Sequence, residues 1–365
     1  MRCFIWAAAY LLAFTSPVKA EVDLVVSYSE TADLYSLMDN VSGWFEGFTI
    51  PAYRDEWQRR FGWTETDQKW ADRYAEYRRR TFINDETEPG PSELPDGIFA
   101  SGHELMPGSD PLATYLLAQP KIDTALRNLG SVTTPEDAQM LRGFYRHFQP
   151  GWKTILRESQ PLTEQARRLQ SRLNSATVTK FLSRVSWFYR SEVNGQFTVF
   201  FTHRPPGKET SAEPLAGSFM LLHSPVLEGG DDEYWDTVVM HELVHYISAK
   251  QSPTQKRILT ARFLERCPLP SGAKRLWLLE EPLAVAWGQS AYSTEVLNQP
   301  LNPNDNWYAV PWVNIVARAI SPSVLDAYRS GSRIEEVVDQ AADRCNDLNA
   351  IVAQLGQHIG ASGSQ

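Results

Sequence analysis

The chain has 365 residues, 42% of them hydrophobic and 12% aromatic, with 44 acidic against 35 basic side chains and a formal net charge of −9. It is too apolar to stay disordered, it has no fibre-like period or low-complexity tract, and its acidic balance argues against nucleic acid as a partner. Three cysteines are too few for a disulfide-built scaffold, and the length suits one large domain or two modest ones.

The first twenty residues, MRCFIWAAAYLLAFTSPVKA, set Arg2 before an apolar run from Cys3 to Phe14. The run breaks at Ser16-Pro17 and ends on the small-residue spacing of Val18 and Ala20. This reads as a secretory signal peptide cleaved near Ala20, so an exported protein, periplasmic or secreted, is expected. The run is too short to span about 30 Å of hydrocarbon, and no other stretch approaches the needed length, so no stable membrane insertion is expected. Cleavage removes Arg2, Lys19 and Cys3, shifts the charge to −11 and leaves Cys267 and Cys345. In an oxidising compartment that pair is compatible with one disulfide; two buried thiols are the alternative.

Residues 21–190 read as a helical N-terminal region. Trp57, Phe61, Trp70, Tyr74 and Tyr77 form aromatic stripes that suit core packing. Thr134-Pro135-Glu136 opens a helix with an N-cap and a proline at its first position. Leu162 to Tyr189 is a longer amphipathic stretch, and the Pro- and Gly-rich segment from Glu88 to Asp110 reads as a loop.

The texture changes after Asn194-Gly195, and residues 191–360 read as a second unit ahead of a flexible tail at 361–365. Gln196 to Thr202 (QFTVFFT) predicts a strand, and Gly217 to Leu222 a second one, available to an extended peptide by strand addition. His223 at its end reads as polar surface, with substrate contact as the alternative. A helix follows from Asp231 to Lys250, with Asp231, Asp232 and Glu233 in its first turn.

That helix carries His241-Glu242-Leu243-Val244-His245. Residues four apart on a helix lie about 40° apart around the axis and about 6 Å along it, so both imidazoles can face one zinc ion. Glu242, rotated by about 100°, is placed to act on a water beside that ion as a general base. A catalytic zinc needs a third protein ligand. Ser248 and Gln251 stand where the metzincin extension would put glycine and histidine, so the ligand must come from elsewhere. Leu276 to Gln289 (LWLLEEPLAVAWGQ) offers Glu280 and Glu281, and Pro282 predicts a helix start near Glu281.

HELVH followed about 35 residues later by EEPLA resembles the gluzincin branch of zinc metallopeptidases, over about residues 195–320. The chain is also similar to exported bacterial zincin-like proteins with a downstream Trp-Tyr pair, here Trp307-Tyr308. The resemblance implies one zinc ion held by His241, His245 and Glu281, with Glu242 as the base and a peptide or protein as the substrate. Tyr308, with Tyr292 as the second candidate, would stabilise the oxyanion. Pro282 and the lack of an acid four residues after Glu281 depart from the family pattern, and the latter leaves the outer partner of the histidines unassigned. The implied fold is α+β and predominantly helical: a zincin-like half with a small mixed or antiparallel sheet on the His241–His245 helix, preceded by the helical region. Two other classes compete with a peptidase: a catalytically silent binding protein that keeps the zincin fold, and a zinc that only staples two helices.

Overall fold

The computed structural model describes residues 21–45, 49–82, 110–207, 211–215, 217–226, 234–267, 279–299, 301–302 and 306–362. The expected signal peptide, the loop before Asp110, the acidic start of the His241 helix and the last three residues of the tail lie outside them. The fold is α+β and predominantly helical, with one mixed four-stranded sheet.

The strands are β1 (Glu21–Tyr28), β2 (Asn194–Thr202), β3 (Ser211–Leu215) and β4 (Phe219–His223), in the order β1-β2-β4-β3. β1 and β4 run parallel to β2, and β3 closes one side antiparallel to β4. Three of these strands depart from the sequence reading, β3 by having no counterpart in it. Glu21–Tyr28 lies in the stretch read as helical, yet its Leu24, Val26 and Tyr28 register against Phe197, Val199 and Phe201. The partner that makes it a strand lies some 170 residues downstream, out of reach of a local pattern. The expected free strand, β4, is hydrogen-bonded on both sides by β2 and β3. An incoming peptide therefore finds no open edge on it; on that side of the sheet the edge belongs to β3.

Period-2 alternation sends the sheet's two faces into two different cores. Val26, Phe197, Val199, Phe201, Met220 and Leu222 face one core; Phe200, Leu221 and Leu215 face the other. The second core is filled by seven helices: α1 (Glu30–Ser42), α2 (Pro51–Phe61), α3 (Glu65–Thr81), α4 (Pro111–Leu117), α5 (Ile122–Arg127), α6 (Pro135–His147) and α7 (Gln149–Glu158). Thr134 caps α6 by accepting from the Asp137 amide, with Pro135 at the first position, as the sequence predicts. The long stretch from Leu162 splits at Asn174-Ser175 into α8 (Leu162–Leu173) and α9 (Ala176–Tyr189).

These two helices pack not with α1–α7 but across the sheet. There they join α10 (Tyr234–Ala249), α11 (Pro253–Arg266), α12 (Glu280–Val285), α13 (Tyr292–Glu295), α14 (Pro311–Ser330) and α15 (Ile334–Ser362). Both cores thus draw on both sides of residue 190, with the sheet as the layer between them. Cys267, at the end of α11, is disulfide-bonded to Cys345 on α15. The bond closes a 78-residue separation that contains both Glu280 and Glu281.

Candidate metal centre

α10 is buried on most of its circumference: Trp235, Val239, Met240, Leu243, Val244, Tyr246 and Ile247 all lie in the core. A helix apolar nearly all round belongs in the interior, and that burial is what carries His241 and His245 inside. Phe197 of β2 packs on Tyr246 at 4.8 Å between ring centroids, and Phe201 on Trp235 at 6.0 Å, so the sheet braces the helix through these rings.

The helical spacing sets the two imidazoles 4.8 Å apart, centroid to centroid, at 77° to one another. Their Nε2 atoms approach to 3.2 Å. α12 supplies the carboxylate. Its first turn is Glu280-Glu281-Pro282, where a proline removes no hydrogen bond and the helix dipole favours negative charge. Glu281 places one oxygen 3.1 Å from His241 Nε2 and the other 3.0 Å from His245 Nε2. Of the two acids left open by the sequence, Glu281 is the one grouped with both histidines. Zinc at about 2.0–2.1 Å from tetrahedral ligands would hold them about 3.3 Å apart, close to the observed separations. The donor set and its convergence fit the ion.

The charges are strongly coupled. Burial raises the Glu281 carboxyl, but the two imidazoles outweigh it and hold the group far below the usual carboxylate range. Burial lowers His245, while Glu281, with Glu280 behind it, drives its pKa well above the ordinary imidazole value. Glu242 stands beside the cluster, its Oε1 4.0 Å from His241 Nε2, with its side chain 14% exposed.

Tyr308 meets the site and Tyr292 does not. The Tyr308 ring stacks on His241 at 6.1 Å and 19°, and its hydroxyl lies within reach of the Glu281 charge. Burial first, then the negative charge of Glu281 and Glu242, push that phenol far up, so it stays a proton-bearing donor. Tyr292 is 1% exposed, packs edge-on against Phe181, and feels the charges of Asp236 and Arg172 rather than those of the cluster. His223 is not polar surface. It is 1% exposed, and Tyr53, Thr202 and Ser36 surround its Nδ1 at 2.9, 3.0 and 3.3 Å.

Sequence reasoning missed Glu280 as a residue of the site in its own right. It is 2% exposed and sets Oε1 3.3 Å from His245 Nδ1, on the side of the ring away from Glu281. The signal was its adjacency to Glu281, read only as a choice between the two. No family model, curated protein or solved structure matches the chain.

Proposed function

We propose that the protein is an exported zinc-dependent peptidase of the gluzincin type, acting on a peptide or protein substrate. The observation that carries the reading is the convergence of His241 Nε2, His245 Nε2 and a Glu281 oxygen, with Glu242 and Tyr308 beside the cluster. His241, His245 and Glu281 would hold the ion. When bound, zinc supplies a Lewis acid for acidifying water and polarising a carbonyl.

The chain's own residues do the rest. Glu242 accepts the proton of the attacking water and delivers it to the leaving amine as the C–N bond breaks. The Tyr308 hydroxyl, kept protonated by its neighbours, donates to the oxygen on which negative charge develops. A structural zinc is closed by four protein ligands, and among the described residues three converge here, which favours catalysis over stapling.

The test is metal analysis plus digestion of a diverse peptide library by the wild-type chain and Glu242→Gln. One zinc per chain in both proteins is expected, with cleavage by the wild type and a loss of at least about 100-fold in the variant. Equal cleavage by both would remove Glu242 from the mechanism. Zinc bound without any cleavage would favour the silent binding protein.

A further inference from the structure

His245 is held from both sides by consecutive carboxylates. Glu281 Oε2 lies 3.0 Å from its Nε2 and Glu280 Oε1 3.3 Å from its Nδ1. Consecutive helical residues diverge by about 100°, so the two acids of one turn cannot both reach the ion; here they take opposite edges of one imidazole.

Glu280 has no surface to serve. It is 2% exposed, and its second oxygen has no hydrogen-bond partner among the described residues. An ionised carboxylate buried that deeply is costly unless a partner holds it in place. Among the described residues its side chain hydrogen-bonds only to His245, and the half-buried Lys256 ammonium on α11 adds favourable charge without direct contact. His241, by contrast, has no partner on Nδ1 among the described residues.

We propose that Glu280 is the positioning residue of the metal centre: it accepts the Nδ1–H of His245, selects that tautomer, and turns the Nε2 lone pair toward the ion. The proposal rests on the metal-centre reading above. It assigns the two acids separate tasks, Glu281 as ligand and Glu280 as the partner that orients a ligand. Outer partners of ligating histidines typically contribute 10–100-fold in metal affinity.

The experiment is zinc competition against a chromophoric chelator on the metal-free full chain, for wild type, Glu280→Ala, Glu280→Gln and Glu281→Ala. Nitrogen-15 spectra of metal-free, histidine-labelled protein, taken at a pH high enough for a neutral His245 imidazole, report its tautomer alongside. Expected are one zinc per chain in wild type, a 10–100-fold weaker site in Glu280→Ala at unchanged saturating stoichiometry, and loss of the site in Glu281→Ala. Glu280→Gln keeps an acceptor oxygen at the same place and should recover part of the affinity and the Nδ1–H tautomer. Wild-type affinity together with an unchanged tautomer in Glu280→Ala would overturn the proposal while leaving the metal centre standing. A Glu280→Ala site that is lost while Glu281→Ala keeps its zinc would overturn it by exchanging the roles. A wild-type chain that takes up no zinc would overturn the metal centre itself, and this assignment with it.

Discussion

Gly288 lies directly against the backbone of His241: a Cβ at position 288 would fall 2.9 Å from both the Cα and the amide nitrogen of His241. Gly288 sits in a π-helical turn, Ala286–Ala291, that continues α12 and presses it onto α10. The π-turn is the joint through which the glutamate-bearing helix approaches the histidine-bearing one. The obstructing atoms are backbone, so an added methyl group cannot be accommodated by a side-chain rotation.

Gly288→Ala should therefore separate α12 from α10 by a few tenths of an ångström or more. A stability loss of about 1–3 kcal/mol is expected from the overpacking. Because the ligand atoms span the same two helices, zinc affinity should fall as well. Thermal unfolding and chelator competition on one preparation measure both; unchanged affinity would mean that the cluster tolerates the shift.

Zinc uptake should release a proton from His245. Without metal, the Glu281 and Glu280 carboxylates raise that imidazole well above its ordinary value of 6.5, against the effect of burial. Near neutral pH zinc must displace this proton, so affinity should rise with pH until the raised value is passed. Calorimetry in buffers of different ionisation enthalpy counts the protons directly.

The same pair predicts the pH dependence of the metal-free protein. The raised His245 contributes stability that is complete below 6.5 and fades as pH climbs through its folded value. The depressed Glu281 contributes stability that is complete above 4.5 and fades as pH falls through its folded value. These are one ion pair seen from its two ends. Its contribution is complete between those two pH values, and the unfolding midpoint of metal-free protein should gain most over a Glu281→Gln variant there.

Tyr308→Phe removes the hydroxyl that feels the Glu281 charge but leaves a ring to stack on His241. If the hydroxyl supports the oxyanion, kcat should fall by about 100-fold or more with KM little changed. Tyr292→Phe, remote from the cluster, is the control and should leave kcat as it is. Steady-state kinetics on a cleaved library peptide compare the two.

Arg78 makes a prediction for the other core. It is 1% exposed, its Nε lies 2.7 Å from Asp39 and its two terminal nitrogens 2.8 and 2.6 Å from Asp110, joining α3, α1 and the cap of α4. Arg78→Met fills similar space but strands two buried carboxylates, so about 3–5 kcal/mol of stability should be lost. Urea unfolding gives the number, and restoration by Asp39→Asn combined with Asp110→Asn would identify charge rather than volume as the cause.

How much of this was legible follows from the range of each interaction. The spacing of His241 and His245 already sets two imidazoles on one helix face, because a helix is a local structure whose period is known in advance. The strand Gln196 to Thr202, the cap at Thr134 and the helix start near Glu281 are legible for the same reason. β1 was read as helix because its strand character comes from pairing with β2, far along the chain. β3 escaped because SAEPL carries a proline and an acid and little apolar alternation; its strand comes from pairing with β4, and that pairing closes β4's free side.

The choice between Glu280 and Glu281 shows the boundary most sharply. The sequence by itself determined that two acids begin a helix downstream of two histidines, and that Glu242 points away from the ion the histidines would share. It could not say which acid meets which nitrogen, since that depends on the rotation of α12 about its axis and its distance from α10. Both are decided by tertiary packing, by the π-turn and the bare backbone at Gly288, which bring Glu281 to the Nε2 atoms and Glu280 to the back of His245.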